Sequence, residues 1–409
     1  MHYDLIIVGG GAAGYFCAAN LRVADSRRVL LLEKGRESLA KVRVSGGGRC
    51  NVTHACFQNS RLVKNYPRGQ KFLKKSFEHF SCEDTVKWFG DRGVATKTES
   101  DGRMFPVSNT SQAILDCLQE NIASSIEVVH SVDVVDINRT TAEVFTLLTK
   151  AGSTYTCDKL VLATGSNARM WKLLAGMGHT VIPPVPSLFT FHIEDKRVSG
   201  LQGLSVPAAQ VRISGEKVST NGPLLITHWG KSGPAILKLS AFGARILADK
   251  NYKFEIEVNW TGLKQKVVQK CLLEMINEIG AKLVHKNAQF NIPGRLWERL
   301  CIAASLQEHM RYRDLNEKNI LKLVAQLCAA RFDVTKKSTF KEEFVTAGGI
   351  DTAEIDPLSF ESRLIQNLFL AGEMLNIDAV TGGFNFQAAW TGGYSIAQNI
   401  NNLWSTKHV

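Results

Sequence analysis

The stretch DLIIVGGGAAG, Asp4 to Gly14, decides the fold. A short apolar run closing on glycines reads as a buried strand, and AAGYFCAANLRVA behind it carries helical spacing. RVLLLEK then reads as a second strand ending at Glu33. Strand, glycine turn, helix, strand is the opening of a parallel βαβ unit. Within the turn, Gly9, Gly11 and Gly14 form GxGxxG, and Glu33 follows 19 residues after the last glycine. Each position has a job in dinucleotide binding: a tight turn, close backbone approach to pyrophosphate, a helix packed on the sheet, and a carboxylate for ribose hydroxyls. A 2′-phosphate would repel that carboxylate, so the expected ligand is FAD or NAD and not NADP.

At 409 residues the chain exceeds the size at which one core keeps growing, so two or three units are expected. Hydrophobic residues at 44% and charged residues at 21% are ordinary for a soluble protein. No apolar run approaches the roughly 20 residues of a membrane span. The N-terminus lacks the apolar core and cleavage site of a secretory signal, so the expected location is cytoplasmic. The nine cysteines include no CxxC pair, and no spacing of His, Cys, Asp or Glu points to a metal. A net charge of +11 has its densest part at Arg61 to Lys75, RLVKNYPRGQKFLKK, with six cations and no acid. Such a run is usually a solvated face; the other readings are an anionic substrate, a nucleotide or RNA.

Further along, SCEDTVKWFGDRG has the capping pattern and spacing of a helix, TKTESDGRMFPV turns at Asp101-Gly102 as a hairpin, and SQAILDCLQENI is helical again. Strands follow in IEVVHSVDVVDINRT, EVFTLLTK and STYTCDKLVLATG. The prolines of HTVIPPVPSLF fit neither a helix nor a central strand and mark a crossing between domains. The expected architecture is α/β: a Rossmann-like domain from residues 1–187 and 341–409, interrupted by a β-rich part at 188–262 and a helical part at 263–340. LFLAGEML, late in the chain, is expected to pair back into the first domain.

Three features favour FAD over NAD. LVLATG (Leu160 to Gly165) is similar to the strand-end signature of two-dinucleotide flavoproteins, and LFLAGE (Leu368 to Glu373) to their late acid-bearing strand. TGGFNFQAAWTGG (Thr381 to Gly393) is a glycine turn entering a helix, whose N-terminal dipole suits the charge of a reduced flavin.

These motifs, with KVRVSGGGRCNVT, DGRMFP, THWGKSGPAIL and TAGGI, resemble over essentially the whole chain the bacterial FAD-dependent oxidoreductases of the BaiN/RdsA or aminoacetone-oxidase type, distant relatives of fumarate reductase flavoprotein subunits. The resemblance implies an FAD domain of the two-dinucleotide-binding type with an insert. Carried over by position, it implies FAD contacts at Gly9, Gly11, Ala12, Ala13, Gly14, Glu33, Lys34, Lys41, Ser45, Gly46, Gly47, Arg49, Cys50 and Asn51. Val134, Ala163, Thr164, Gly165, Gly372, Glu373, Gly383, Phe384, Asn385, Phe386 and Gln387 complete that set. Where relatives carry an apolar residue in TH-x-G-x-SGP this chain has Lys231, which favours an anionic substrate if it faces the flavin and is otherwise simply exposed.

The insert has no second GxGxxG and the chain no CxxxxC redox pair, so NADH or NADPH would serve only as a transient donor at an unassigned site. With flavin carrying the redox step, the protein need supply a proton donor and a substrate anchor. His228, Lys231 and Ser232 in THWGKSGP are the local candidates, and Arg103 is a candidate carboxylate clamp. Each has a plainer reading as a structural or solvated residue, and Cys50 reads as packing. Ser45 to Asn51 is expected to run as extended backbone along the cofactor, with Arg49 pairing a phosphate or a structural carboxylate. The leading expectation is an FAD-dependent oxidoreductase of a small organic molecule. An RNA-associated flavoprotein and a non-catalytic flavin carrier are the alternatives; no aromatic-interleaved RNA motif accompanies the basic run.

Overall fold

The fold is described from a computed structural model, which covers residues 1–140, 143–338 and 345–405. Internal contacts divide the chain into two units, Met1–Pro184 with Thr346–Val409, and Val185–Val345. The expected boundary at residues 340 and 341 lies outside the described residues.

The first unit opens with β1 (His2–Val8), α1 (Ala12–Ala18) and β2 (Val29–Leu32). Leu5 to Ile7 and Leu30 to Leu32 are wholly buried, because a parallel strand covered on both faces needs a continuous apolar run. Next come α2 (Ala40–Gly48), β3 (Thr53–His54), the short α3 (Asn59–Leu62), α4 (Gln70–Ser76) and α5 (Cys82–Gly90). The start of α5 is fixed by a capping box between Ser81 and Asp84. Strands β4 (Thr96–Thr98) and β5 (Arg103–Pro106) form the expected hairpin and join β3 in a small antiparallel sheet.

After α6 (Gln112–Glu120) the chain lays down β6 (Ile126–Val129), β7 (Val134–Arg139), β8 (Phe145–Thr149) and β9 (Thr154–Leu162), then α7 (Ala168–Gly176). The main sheet runs β6-β2-β1-β9-β8-β7. Strand β9 pairs β1 in parallel on one side, and its first half pairs β8 antiparallel on the other. The proline-rich β10 (Val181–Ser187) belongs to a two-stranded ribbon, where a strand has a free edge and missing N–H donors cost little.

The second unit is an antiparallel sheet of β11 (Thr190–His192), β12 (Ser205–Ile213), β13 (Ser219–Thr227), β14 (Gly230–Ser232), β15 (Phe254–Asn259), β16 (Ala330–Val334) and β17 (Lys336–Ser338). It carries α8 (Pro234–Phe242), α9 (Ala244–Asp249), α10 (Gln265–Glu278), α11 (Gly294–Ala303) and α12 (Glu317–Cys328). The insert holds both the strands and the helices expected of it, within one compact unit. Val211, Ile256 and Phe332 of the sheet share one core with Val268, Leu296 and Leu323 of the helices. Amphipathic helices of this length have one apolar face each, and the sheet face is what covers it.

Lys231 belongs to this core. It is completely buried on β14, its Nζ is 3.1 Å from the centre of the Phe332 ring and has no hydrogen-bond partner among the described residues. The expectation of an exposed lysine is thereby corrected: the neighbouring strands of a closed sheet face leave the position no route to water. Burial lowers the proton affinity of the amine well below that of an ordinary lysine, Asp195 opposes that shift and Arg197 reinforces it.

The chain returns through β18 (Val345–Ile350), which pairs β10, and β19 (Leu368–Leu370), which adds in parallel to the second half of β9 as the sequence predicts. The last helix, α13 (Phe384–Ser405), packs on α1. No helix among the described residues is long and apolar enough to cross a membrane.

Candidate functional site

The glycines of the first turn are fixed by contact. A Cβ on Gly9 would stand 2.5 Å from the Ala163 carbonyl oxygen, and one on Gly14 would fall on the Gly9 carbonyl. Chain from the ends of β1 and β9 therefore meets at the N-terminus of α1 with no room for side chains. Gly11 is different: nothing lies within 4 Å of its Cβ position, and no side chain caps the helix there. The first-turn N–H groups of α1, including those of Ala12 and Ala13, remain open to an anion.

Glu33 sits beside this turn. Its carboxylate accepts from the Gly10 N–H at 2.6 Å and from the Gly35 N–H at 2.5 Å. Ser38 and His130 stand alongside, with Ser38 Oγ 2.8 Å from His130 Nε2. Burial and the Glu33 carboxylate push the Tyr15 phenol above its usual range, against a hydrogen bond from Ser38. Neither Ser38, His130 nor Tyr15 was marked by the sequence, since His130 is supplied from 92 positions away.

Lys41, on α2, donates to Glu373 at 2.6 Å, and Glu373 lies over Gly165. This ion pair joins the α2 segment, the end of β9 and the Gly372 turn around one rim. Thr164 Oγ1 is 2.9 Å from Met374 Sδ on the same rim. Lys34 lies 3.5 Å from Asp133, next to Val134 at the start of β7.

The SGGGRCN segment departs from expectation. It is not extended: Gly46, Gly47, Gly48 and Cys50 all have positive φ, between 57° and 82°. The run coils left-handed, which three successive glycines allow at little cost and an L side chain resists. Arg49 pairs the structural carboxylate, Glu99, at 2.7 Å and lies over the Phe105 ring. Arg103 pairs both Asp101 and Glu99, so its Nε and Nη2 donors are engaged within the hairpin. The buried Cys50 thiol is pushed up to about 12, which keeps it protonated and inert at neutral pH.

Asn51, in the amide orientation that satisfies its neighbours, accepts from the Gly383 N–H at 2.9 Å. The side chains of the 383–387 turn are likewise committed to protein. Phe384 stacks on His54, Asn385 Oδ1 accepts from the Ala379 N–H, Phe386 stacks on Trp390, and Gln387 is bonded by Thr53 and Thr85. The backbone at the start of α13 is the part of this turn that these side-chain contacts leave uncommitted.

His228, Lys231 and Ser232 lie in the second unit, on or beside β14. His228 is exposed at a tight turn, and Ser232 is paired in the strand opposite Leu225.

A model of the HI0933-like protein Rossmann domain matches residues 3–399. The chain belongs to the HI0933-like family. Among curated relatives, this HI0933-like chain is 28% identical to the ribosomal RNA dihydrouridine synthase of Escherichia coli, covering 97% of this chain and 98% of that one. It is 24% identical to the 3-dehydro-bile acid delta(4,6)-reductase of Clostridium scindens, over 95% and 96% of the two chains. Among solved structures it is similar to the FrdA chain of Escherichia coli quinol fumarate reductase, at 14% identity and TM-score 0.49, covering 100% of this chain and 71% of that one.

The family is one of FAD-binding flavoprotein oxidoreductases, and the residues present fit that group. The uncapped α1 N-terminus suits a pyrophosphate, the Glu33 carboxylate a ribose, and the open faces of Gly11, Gly47 and Gly48 leave a rim unfilled by side chains. Bound there, FAD supplies hydride and electron transfer. Gly47→Val tests the rim. A Cβ there meets no atom but takes a backbone strain of about 1–3 kcal/mol, so FAD retention is expected to fall about tenfold and the thermal midpoint by roughly 2–4 °C per kcal/mol, the chain still folding. Full flavin occupancy in that variant would remove the segment from the site.

Proposed function

We propose that this chain is an FAD-dependent reductase of carbon–carbon double bonds conjugated to a carbonyl, and that its substrate is a uracil base in RNA. The observation that carries the substrate is the basic run. Arg61, Lys64, Lys71, Lys74 and Lys75 are exposed and form no ion pair among the described residues, whereas Arg68 is held by the buried carboxylate of Asp378. Unpaired cations that the fold does not use suit phosphates. The names of the two curated relatives support the chemistry, since each describes hydrogenation of a double bond.

The protein's own residues hold the parts in place. Glu33 fixes the nucleotide end, the Lys41–Glu373 pair closes the rim, and the α13 N-terminus places backbone N–H groups where charge on a reduced ring is stabilised. The bile acid reductase favours a second reading, in which the substrate is a small conjugated ketone.

Purified protein is expected to be yellow, to bleach anaerobically with NADH or NADPH, and to restore dihydrouridine to ribosomal RNA in cells lacking the gene, read as a gain of two hydrogens by nucleoside mass spectrometry. Bleaching and reoxidation by a conjugated ketone, with no such mass gain, would overturn the RNA substrate. Colourless protein that takes up no FAD would overturn the whole reading.

A further inference from the structure

On the outer side of α13, in the first unit, lies a polar cleft of about 550 Å³ lined by His79, Asp356, Ser359, Tyr394, Gln398 and Asn399. It is distinct from the flavin rim: Gln398 is 14 positions along the helix from Phe384, or about 20 Å at 1.5 Å per residue. Two features suit it to a planar, hydrogen-bonding group. Tyr394 is held flat by stacking on Phe80, with ring centres 4.3 Å apart and planes 26° apart. The Asn399 side-chain oxygen is buried and has no donor among the described residues, a cost that an incoming N–H would relieve.

The cleft adjoins the basic helix. Ser76, in the last turn of α4, donates to the Pro357 carbonyl at 2.7 Å, and Phe72 packs edge-on against Phe360, so α4 is fastened to the loop that forms one wall. Its buried face is Phe72, Leu73 and Ser76; Lys71, Lys74 and Lys75 are on the exposed side, and the chain runs on from them to His79 in the cleft. A row of cations with no ion pair among the described residues, leading into a cleft with an aromatic ring and the unbonded Asn399 oxygen, is the pattern by which single-stranded nucleic acid is held, phosphates outside and a base within.

Resting on the RNA reading above, we propose that α4 and this cleft dock a single-stranded segment of the substrate RNA, with phosphates on Lys71, Lys74 and Lys75 and one flanking base against Tyr394 and Asn399. The reacting base lies elsewhere, at the flavin rim.

The test measures anisotropy of a fluorescein-labelled oligouridylate with FAD-loaded protein across a salt series. Lys71→Glu/Lys74→Glu/Lys75→Glu is expected to weaken binding at least tenfold and to flatten the log–log salt slope by about 2, at about 0.7 per lost single-strand phosphate contact. Asn399→Leu is expected to weaken binding several-fold with the slope unchanged. Flavin content and thermal midpoint serve as fold controls. Wild-type binding that the triple variant leaves intact would overturn the placement on α4, and binding indifferent to Asn399→Leu would overturn the base site. If wild-type protein holds FAD yet binds no oligouridylate at low salt, the RNA reading itself falls, and this proposal with it.

Discussion

Lys231→Met is expected to stabilise the second unit by about 1–4 kcal/mol, the range seen when buried charged groups give way to apolar ones of similar volume. For a unit of this size that is a thermal midpoint higher by roughly 2–4 °C per kcal/mol. The reason is on the strand: the amine is enclosed by Phe332 and Trp260, carries no hydrogen bond among the described residues, and must either lose its proton or stay charged without water. The sign of the pH dependence follows. The folded state holds the Lys231 proton less tightly than the unfolded chain, so its penalty is greatest below the folded proton affinity. It fades as pH rises towards the ordinary lysine value of about 10.4. The advantage of methionine is therefore expected to be largest in mildly acidic buffer and to shrink in alkali. Chemical denaturation of both proteins across that range checks it. A stability gap that is absent, or that does not move with pH, would mean that the amine is solvated.

Glu33→Ala is expected to weaken FAD binding by about 10²-fold or more, because hydrogen bonds to a charged acceptor contribute about 1.5–3 kcal/mol each and the ribose offers two hydroxyls. The same change strips the acceptor from the Gly10 and Gly35 N–H groups, so some loss of fold stability accompanies it. Glu33→Gln keeps one acceptor and is expected to fall between the two. The readout is the flavin-to-protein ratio after gel filtration, with calorimetric titration of the stripped proteins. Flavin retained at full occupancy by the alanine variant would detach Glu33 from the nucleotide.

Much of the first unit was legible in order. Buried strands β1 and β2 announce themselves as apolar runs, and the GxGxxG turn is local, so its meaning needs no distant partner. The return of β19 to the sheet was legible because a lone apolar strand requires a neighbour. The SGGGRCN segment was located but given the wrong conformation. Three glycines permit both extended and left-handed backbone, and the choice fell to surroundings: Gly46 lies against Phe105, and Arg49 is drawn to Glu99. The strands and helices of the insert were legible by their periodicity, but periodicity reports which face is apolar, not what covers it, so their shared core was not.

The sequence by itself determined the βαβ opening, the dinucleotide turn with its acid, the interruption of the first unit and the excess of cations between Arg61 and Lys75, all properties of near neighbours along the chain. The tertiary structure alone decided that Lys231 is buried, that Arg103 and Gln387 are committed to protein, and that Lys41 meets Glu373 from 332 positions away. Burial and pairing are set by whatever the fold brings alongside, and no local pattern encodes the identity of a partner that arrives from another part of the chain.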